Sequence, residues 1–369
     1  MKTDKKIKIV VSDCHLSAGR FYLGRLNPHE DFTFDDDLCD LIRYYSTGEF
    51  ADTEAELVLA GDFFDFLNIP IDGEFEDAVT EPLAVQKVEA CIAGHPKVMD
   101  AIRAFATLPD RTVTYLVGNH DAELQFGAVR ERITKEWDPE GRPDSPCVRV
   151  VGDTDRLTYD EPVEIRHGNQ LEAGNELDFE NPFLRSIRGE QVLNIPWGSI
   201  YIIKVVNRLK FERPHVDKVR PIRVFFLFGL ILDPWFTLRF GFLTAFYFFK
   251  TRIAQAVRGH GFRKFWNIVR SESTAFQDLE KPARTILSES PDLKTIIMGH
   301  THMPMDQIYP DGKQYINTGT WTRMINLDWR TLGQQFRKTY ALVTVENGQT
   351  KCELRHWIGK QEPHQPFNG

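Results

Sequence analysis

An α/β fold class follows from three features of the sequence. Short aliphatic, β-branched runs recur, beginning with "IKIVVSD" (7–13), "ELVLAGD" (56–62) and "RTVTYLVGNHD" (111–121), and each ends in polar or glycine-containing sequence. Stretches of helical character, Asp35 to Tyr45 and Leu83 to Leu108, lie between these early runs. Strands alternating with helices predict a sheet with covered faces. Later runs are "PVEIRHGN" (162–169), "LKTIIMGHTH" (293–302), "KQYINTGTW" (313–321) and "YALVTVENG" (340–348). The turn sequences "YPDGKQ" and "VENGQT" join the last of them, so part of the sheet is predicted to be antiparallel.

Composition supports an ordinary globular chain. Its 369 residues are 42% hydrophobic and 27% charged, enough to build a stable core without disulfides. The five cysteines (14, 39, 91, 147 and 352) are scattered, odd in number and show no CxxC spacing. That excludes a disulfide framework and a thiolate zinc site and favours a reducing compartment. The N-terminal apolar run, Ile7 to Val11, is too short for a signal peptide, so a cytoplasmic location is expected.

The net charge of −8 conceals an asymmetry. Between Gln191 and Lys264 stand 13 Lys/Arg against three acidic residues, a local charge of +10, leaving −18 for the rest. The same 74 residues hold 15 of the 44 aromatics. The boundaries are therefore drawn at 1–189 for the first part of a core, 190–264 for an insertion, 265–359 for the second part, and 360–369 for a flexible tail. Within the insertion "VFFLFGLIL" (224–232) and "WFTLRFGFLTAFYFF" (235–249) are interrupted by Asp233, Pro234 and Arg239. Each arm falls short of the ~20 apolar residues that span a bilayer. A pair of amphipathic helices is expected, flanked by Lys204, Arg208, Lys210, Arg213, Lys218, Arg220 and Arg223 on one side and Lys250, Arg252, Arg258 and Arg263 on the other. Such helices suit a membrane interface or a cap over an apolar substrate, against the plainer alternatives of a buried subdomain or a homodimer contact.

Chemistry-bearing residues gather at the ends of the predicted strands. "SDCHLS" offers Asp13 and His15, which strand alternation is expected to turn the same way while Cys14 points elsewhere. "AGDFFDF" offers Asp62 and Asp65, "VGNHD" offers Asn119, His120 and Asp121, "RHGNQ" offers His167, and "MGHTHMP" offers His300 and His302. A lone strand-end Asp or His is ordinarily a turn or cap residue. Five such ends in one chain point to a site, because ligands of α/β sheets gather at the carboxyl ends of strands. Carboxylate, amide and imidazole donors without thiolate suit Mn²⁺, Fe or Zn²⁺. Seven or eight donors exceed one ion and fit two ions sharing a carboxylate.

The ordered motifs D-x-H, G-D-x-x-D, G-N-H-D, H-G and G-H-x-H stand here as "DCH", "GDFFD", "GNHD", "HG" and "GHTH". This set resembles the calcineurin-like metallophosphoesterases over roughly residues 7–187 and 270–347. The resemblance implies a two-sheet αββα sandwich, with the helical, aromatic-rich insertion outside it. It implies that Asp13, His15 and His302 hold one divalent ion, that Asn119, His167 and His300 hold a second, and that Asp62 bridges them. His120 matches a position beside the leaving group that is not a ligand. Asp65 and Asp121 are expected to orient histidines from outside the ligand set, with a surface role for Asp121 as the alternative. Substrate-binding residues are unassigned.

The implied reaction is hydrolysis of a phosphoester or pyrophosphate bond by water activated between two ions, Mn²⁺ first among them, with His120 as proton donor or charge stabiliser. The layout is similar to the UDP-2,3-diacylglucosamine pyrophosphohydrolases, which carry a helical insertion between the "HG" and "GHTH" motifs. This sequence departs from that group at Asn169, where an acidic residue is usual, at His120, where arginine is usual, and in its greater length. The expected substrate is phosphorylated and amphiphilic, with the insertion peripheral on the inner face of a membrane. A nuclease acting on nucleic acid is the alternative, disfavoured because the apolar runs are continuous; a non-catalytic scaffold would have lost ligands, and none is lost. His29, His95, His215, His260, His356 and His364 lack motif context and are expected at the surface.

Overall fold

The computed structural model describes residues 5–141, 147–186, 188–220, 222–257, 279–327, 332–335, 337–359 and 364–366. Two sheets carry the architecture. In chain order their strands are β1 (Lys6–Val11), β2 (Glu54–Ala60), β3 (Arg111–Leu116), β4 (Val148–Val151), β5 (Arg156–Thr158), β6 (Val163–Arg166), β7 (Thr295–Met298), β8 (Met305–Ile308), β9 (Gln314–Asn317), β10 (Thr339–Glu346), β11 (Gln349–Trp357) and β12 (His364–Pro366). The first sheet runs β12-β11-β10-β1-β2-β3-β4 and the second β8-β9-β7-β6-β5. β1 to β4 are parallel, as are β6, β7 and β9, while β10 to β12, β8 and β5 add antiparallel edges. The mixture of directions predicted from the turn sequences is the one observed.

Alternation along the strands builds the layers. Ile7, Ile9 and Val11 of β1, with Leu57 and Leu59 of β2, point to a core that includes Leu38, Val88, Met99 and Val129. Those four come from helices α1 (Asp35–Tyr44), α2 (Glu81–Gly94), α3 (Pro96–Thr107) and α4 (Gly127–Trp137). Val10, Val58, Ala60 and Leu116 point the other way and meet Ile165, Ile297 and Ile316 of the second sheet. Ile296 and Met298 face a third cluster with Ala283 and Leu287. A period of two thus assigns each strand residue to one of two cores, and the result is the expected αββα order.

The stretch of helical character over Leu83 to Leu108 forms two helices. Pro96 disfavours helical geometry at His95, which adopts φ −130°, ψ 51° and separates α2 from α3. His29 and His95 are buried at 1% and 2% exposure, not at the surface. His95 is held by Asp35 (2.8 Å) and Glu30 (3.1 Å), and His29 Nε2 bonds the Asn207 carbonyl (2.9 Å). His215 is exposed and His356 half-buried; His260 lies outside the described residues. Part of the 360–369 tail is ordered into a strand, β12, paired with β11.

Residues 190–264, expected as an insertion, contain the short strand Gln191–Leu193, then α5 (Trp197–Tyr201), a π-helical turn (Ile202–Val206) leading into α6 (Asn207–Lys210), the strand Val219–Arg220, α7 (Ile222–Leu232) and α8 (Pro234–Val257). Val205, Val206, Leu209, Phe236 and Phe240 form a small core within this segment. Residues 258–264, including Arg258 and Arg263, lie outside the described residues. α9 (Glu280–Glu289) returns the chain to the second sheet.

Candidate metal centre

Each motif begins where a strand stops. β1 ends at Val11, so Asp13 and His15 lie beyond the pleat, and their common direction comes from a different source than strand alternation. Both are in the left-handed region, at φ 51° and 55°, as are Asp62 (51°), His300 (70°) and His302 (61°). Non-glycine residues rarely adopt it, and such strain persists where surrounding structure enforces it, commonly at functional sites. Here the enforcement is visible: Asp13 N–H donates to Gly61 O (3.1 Å), His15 N–H to Asp62 O (2.9 Å), and Gly299 N–H to His167 O (2.9 Å).

The motif glycines make room for the ligands. A Cβ on Gly61 would stand 2.5 Å from the His167 ring. One on Gly118 would collide with Asp62 Oδ1, and one on Gly299 with Asp13 Oδ2 and Ser12 Oγ. These contacts explain the glycines that stand immediately before Asp62, Asn119 and His300.

The donors converge as follows. Asp13, His15 and His302 form one metal-capable group, with all ligand atoms within 4.8 Å of one another. Asp62, His167 and His300 form another, and His15, Asp62 and His120 a third between them. Asp62 is therefore the carboxylate common to both sides, the position a bridge requires. Asn119 Oδ1 lies 3.3 Å from His167 Nε2, and His167 Nε2 lies 3.1 Å from Asp62 Oδ2. All seven expected ligands are at one site. His120 is there also, its Nδ1 3.1 Å from Asp65 Oδ1 but out of line for a hydrogen bond.

Three ligand histidines have one nitrogen committed outward. His15 Nδ1 donates to Asp65 Oδ2 (3.2 Å), His167 Nδ1 to Ala60 O (3.0 Å), and His300 Nε2 to Glu172 Oε2 (2.6 Å). Such partners fix tautomer and orientation, leaving the other nitrogen for an ion. Asp65 thus orients a histidine, and Asn68 in turn holds Asp65 (2.7 Å). Asp121 is fully buried, which overturns the surface alternative, and among the described residues its hydrogen bonds go to groups other than histidines. It accepts from Tyr115 OH (2.6 Å), Phe63 N–H (3.1 Å) and Gly118 N–H, tying the "GNHD" loop to the "GDFFD" loop. Glu172 was missed, because nothing in "NQLEAGN" marks it; only its 2.6 Å contact with His300 Nε2 reveals it.

Electrostatics match a cation site. Asp13 and Asp62 are fully buried, and among the described residues their ion-pair partners are all histidines. Burial works against both charges, yet neighbouring histidines hold both carboxyls below the usual range. Burial opposes the cations of His120 and His167 as well; Asp65 and Asp62 outweigh it at His120, pushing it to about 10, and Asp62 and Asp13 raise His167 to about 9. Burial lowers His302 to about 4, with His15 and Arg220 adding to the effect. Buried carboxylates that draw protons onto histidines draw divalent ions in their place, with proton release. The donor set fits two such ions.

No family model matches the chain, and no curated protein does. Among solved structures, a predicted phosphoesterase from Streptococcus pneumoniae aligns over 100% of this chain and 95% of its own, at 10% identity and a TM-score of 0.30. Vps29 from Entamoeba histolytica aligns over 98% and 99%, at 10% identity and 0.31. A dimetal phosphatase from Danio rerio aligns over 95% and 96%, at 10% identity and 0.38. Likeness this distant carries no argument, and the fold rests on the sheet order itself.

Proposed function

We propose that the chain is a metal-dependent phosphoesterase or pyrophosphatase of the calcineurin-like kind, acting on an amphiphilic substrate at a lipid surface. The observation that carries the reaction class is the convergence of seven N/O donors from five strand ends around the shared carboxylate of Asp62. Asp13, His15 and His302 would hold one divalent ion, and Asn119, His167 and His300 the other, with Mn²⁺ ahead of Fe and Zn²⁺. Bound there, the pair supplies an activated water and neutralises phosphoryl oxygens.

The chain's own groups do the rest. His120 stands at the rim with its side chain 17% exposed, held cationic by Asp65 and Asp62. A cation there offers a proton or a positive charge to a leaving oxygen. Its backbone N–H donates to Asp62 Oδ1 (2.8 Å), so the same residue orients the shared carboxylate.

The amphiphilic part of the reading is supported by the α7–α8 hairpin. Ile231 (70%), Leu232 (80%), Trp235 (83%) and Phe242 (69%) are exposed on it, and large apolar side chains held in water mark an interaction surface when they cluster. Among the described residues no helix is long and apolar enough to cross a membrane, which suits a hairpin lying in the interface. A nucleic-acid substrate is less favoured because, among the described residues, three cations of residues 190–264 are already paired: Lys204 with Asp77, Arg213 with Asp233, Arg239 with Glu212. Phosphate tracking needs cations available to the backbone.

The test is turnover of Mn²⁺-loaded protein on bis-p-nitrophenyl phosphate, a UDP-linked acyl sugar, a phospholipid and single-stranded DNA. Hydrolysis of the lipid-linked esters above the others supports the whole reading. Preference for DNA sinks the amphiphilic part, and absence of hydrolysis throughout sinks the reaction class.

A further inference from the structure

The insertion also reaches the metal centre itself. Its edge strand Val219–Arg220 pairs in parallel with Met324–Asn326 of the core, Val219 opposite Ile325 and Arg220 opposite Asn326. Leu327 N–H donates to Arg220 O (2.8 Å), closing the register. On the preceding turn, the fully buried Lys210 bonds Asp31 (2.8 Å) and Asp217 (2.9 Å), and Lys218 pairs with Asp31 (2.5 Å). An Arg220 carried by a mobile loop would be poorly placed; this one is fixed to the core at both ends of a short segment. Its Nη1 donates to the carbonyls of Asp217 (2.9 Å) and Val219 (3.1 Å), which sets the guanidinium plane.

Arg220 lines a cleft whose wall includes His302. Arg337 from the core lines the same cleft, with Thr320 and Thr322 supplying hydroxyls and Met303 and Met324 an apolar side. Among the described residues that line it, none is acidic. Two arginines on one concave surface beside a metal-capable histidine make a local positive field that favours an anion, with Asp217 and Glu172 the carboxylates that act on Arg220. The field of Arg220 also touches both halves of the metal site: it disfavours a proton on His302, and Glu172, the carboxylate bonded to His300, acts on Arg220 in return.

We infer that Arg220 and Arg337 form a subsite for a second anionic group of the substrate, adjacent to the bond that is cut. The inference rests on the phosphoesterase reading for what is cut, but its own content is binding. It makes the insertion part of the active site as well as a contact surface. It narrows the substrate class to esters or anhydrides with a further phosphate or carboxylate near the scissile phosphorus, and the methionine side of the cleft accommodates an apolar neighbour of that group.

The experiment uses two diesters that differ by one phosphate: thymidine 5′-(p-nitrophenyl phosphate) and the same ester carrying a 3′-phosphate. Mn²⁺-loaded wild-type protein should show a lower KM for the second, by about tenfold, the usual order for a hydrogen bond to a charged group. Arg220→Gln and, separately, Arg337→Gln should bring the two KM values within about twofold, and Arg220→Lys should retain part of the preference. Binding of thymidine 3′,5′-bisphosphate against thymidine 5′-monophosphate, by calorimetry on the metal-loaded protein, should follow the same order. No preference in the wild type, or equal losses for both ligands in both glutamine variants, overturns the subsite. Bisphosphate preference that depends on Arg220, with no hydrolysis of either ester, leaves the subsite standing and removes the phosphoesterase reading. Arg337 belongs to the core, so misfolding of an insertion variant would leave that arm of the test intact.

Discussion

His15 Nε2 and His302 Nε2 face each other at 3.0 Å, although 287 positions separate them in the chain. Asp13 Oδ1 lies beside both, 3.9 Å from His15 and 3.3 Å from His302. Two imidazole nitrogens and a buried carboxylate oxygen aimed at one another form half of a coordination shell. Replacing His302 with alanine should therefore lower bound Mn²⁺ from two ions per chain to one, while Asp62→Asn should lower both. Metal content after dialysis checks this, and two ions retained in Asp62→Asn would falsify the shared-carboxylate assignment.

Glu172 and Asp65 act on the metal centre through His300 and His15. Glu172→Gln or Asp65→Asn should weaken Mn²⁺ binding by about 10–100-fold, the range seen when partners of metal-bound histidines are removed. Titration with the metal gives the answer, and unchanged affinity in both variants removes the orienting role.

His120 shares a metal-capable group with His15 and Asp62, yet its expected work is on the leaving oxygen. The two roles separate cleanly. If His120 serves the leaving group, His120→Ala keeps two ions and loses about 10²–10⁴ in kcat, most for poor leaving groups and least for p-nitrophenolate. Loss of an ion in this variant makes His120 a ligand.

Away from the site, His95 supplies a pH signature. Burial alone would lower its pKa, but Asp35 and Glu30 outweigh burial and raise it to about 9. The folded value lies above the unfolded value of about 6.5, so the cation's contribution is complete below pH ~6.5 and fades as pH rises through about 9. His95→Gln should cost about 2–3 kcal/mol at pH 6 and much less at pH 10. Urea midpoints of the two proteins at both pH values test this, and a gap that stays constant or widens with pH refutes it.

The exposed hairpin makes a last prediction. Leu232→Ser with Trp235→Ser removes apolar surface that is already in water, so melting should shift by less than about 0.5 kcal/mol equivalent. Co-sedimentation with liposomes should fall severalfold. Binding of wild type that is nil, or equal to that of the variant, ends the interfacial reading.

The strands and every motif residue were legible because both signals are local. Alternation in "IKIVV" reports burial on two faces, and a strand end followed by Asp or His is readable within a few residues. The break at His95 is also a local signal, the dipeptide "HP". Two other features were misjudged for a common reason. His29 and Asp121 carry polar side chains without a periodic context, and their burial depends on partners 178 and 58 residues away, Asn207 and Phe63.

The sequence by itself determined the alternating strand order, the donors at the strand ends and the separate chemistry of residues 190–264, since each depends on neighbours along the chain. Tertiary structure alone decided that Glu172 serves His300, that Asp121 ties two loops, and that Arg220 stands beside His302. Those relationships are distances between segments brought together by sheet pairing and by buried ion pairs such as Lys210–Asp31. No residue pattern within either segment encodes them.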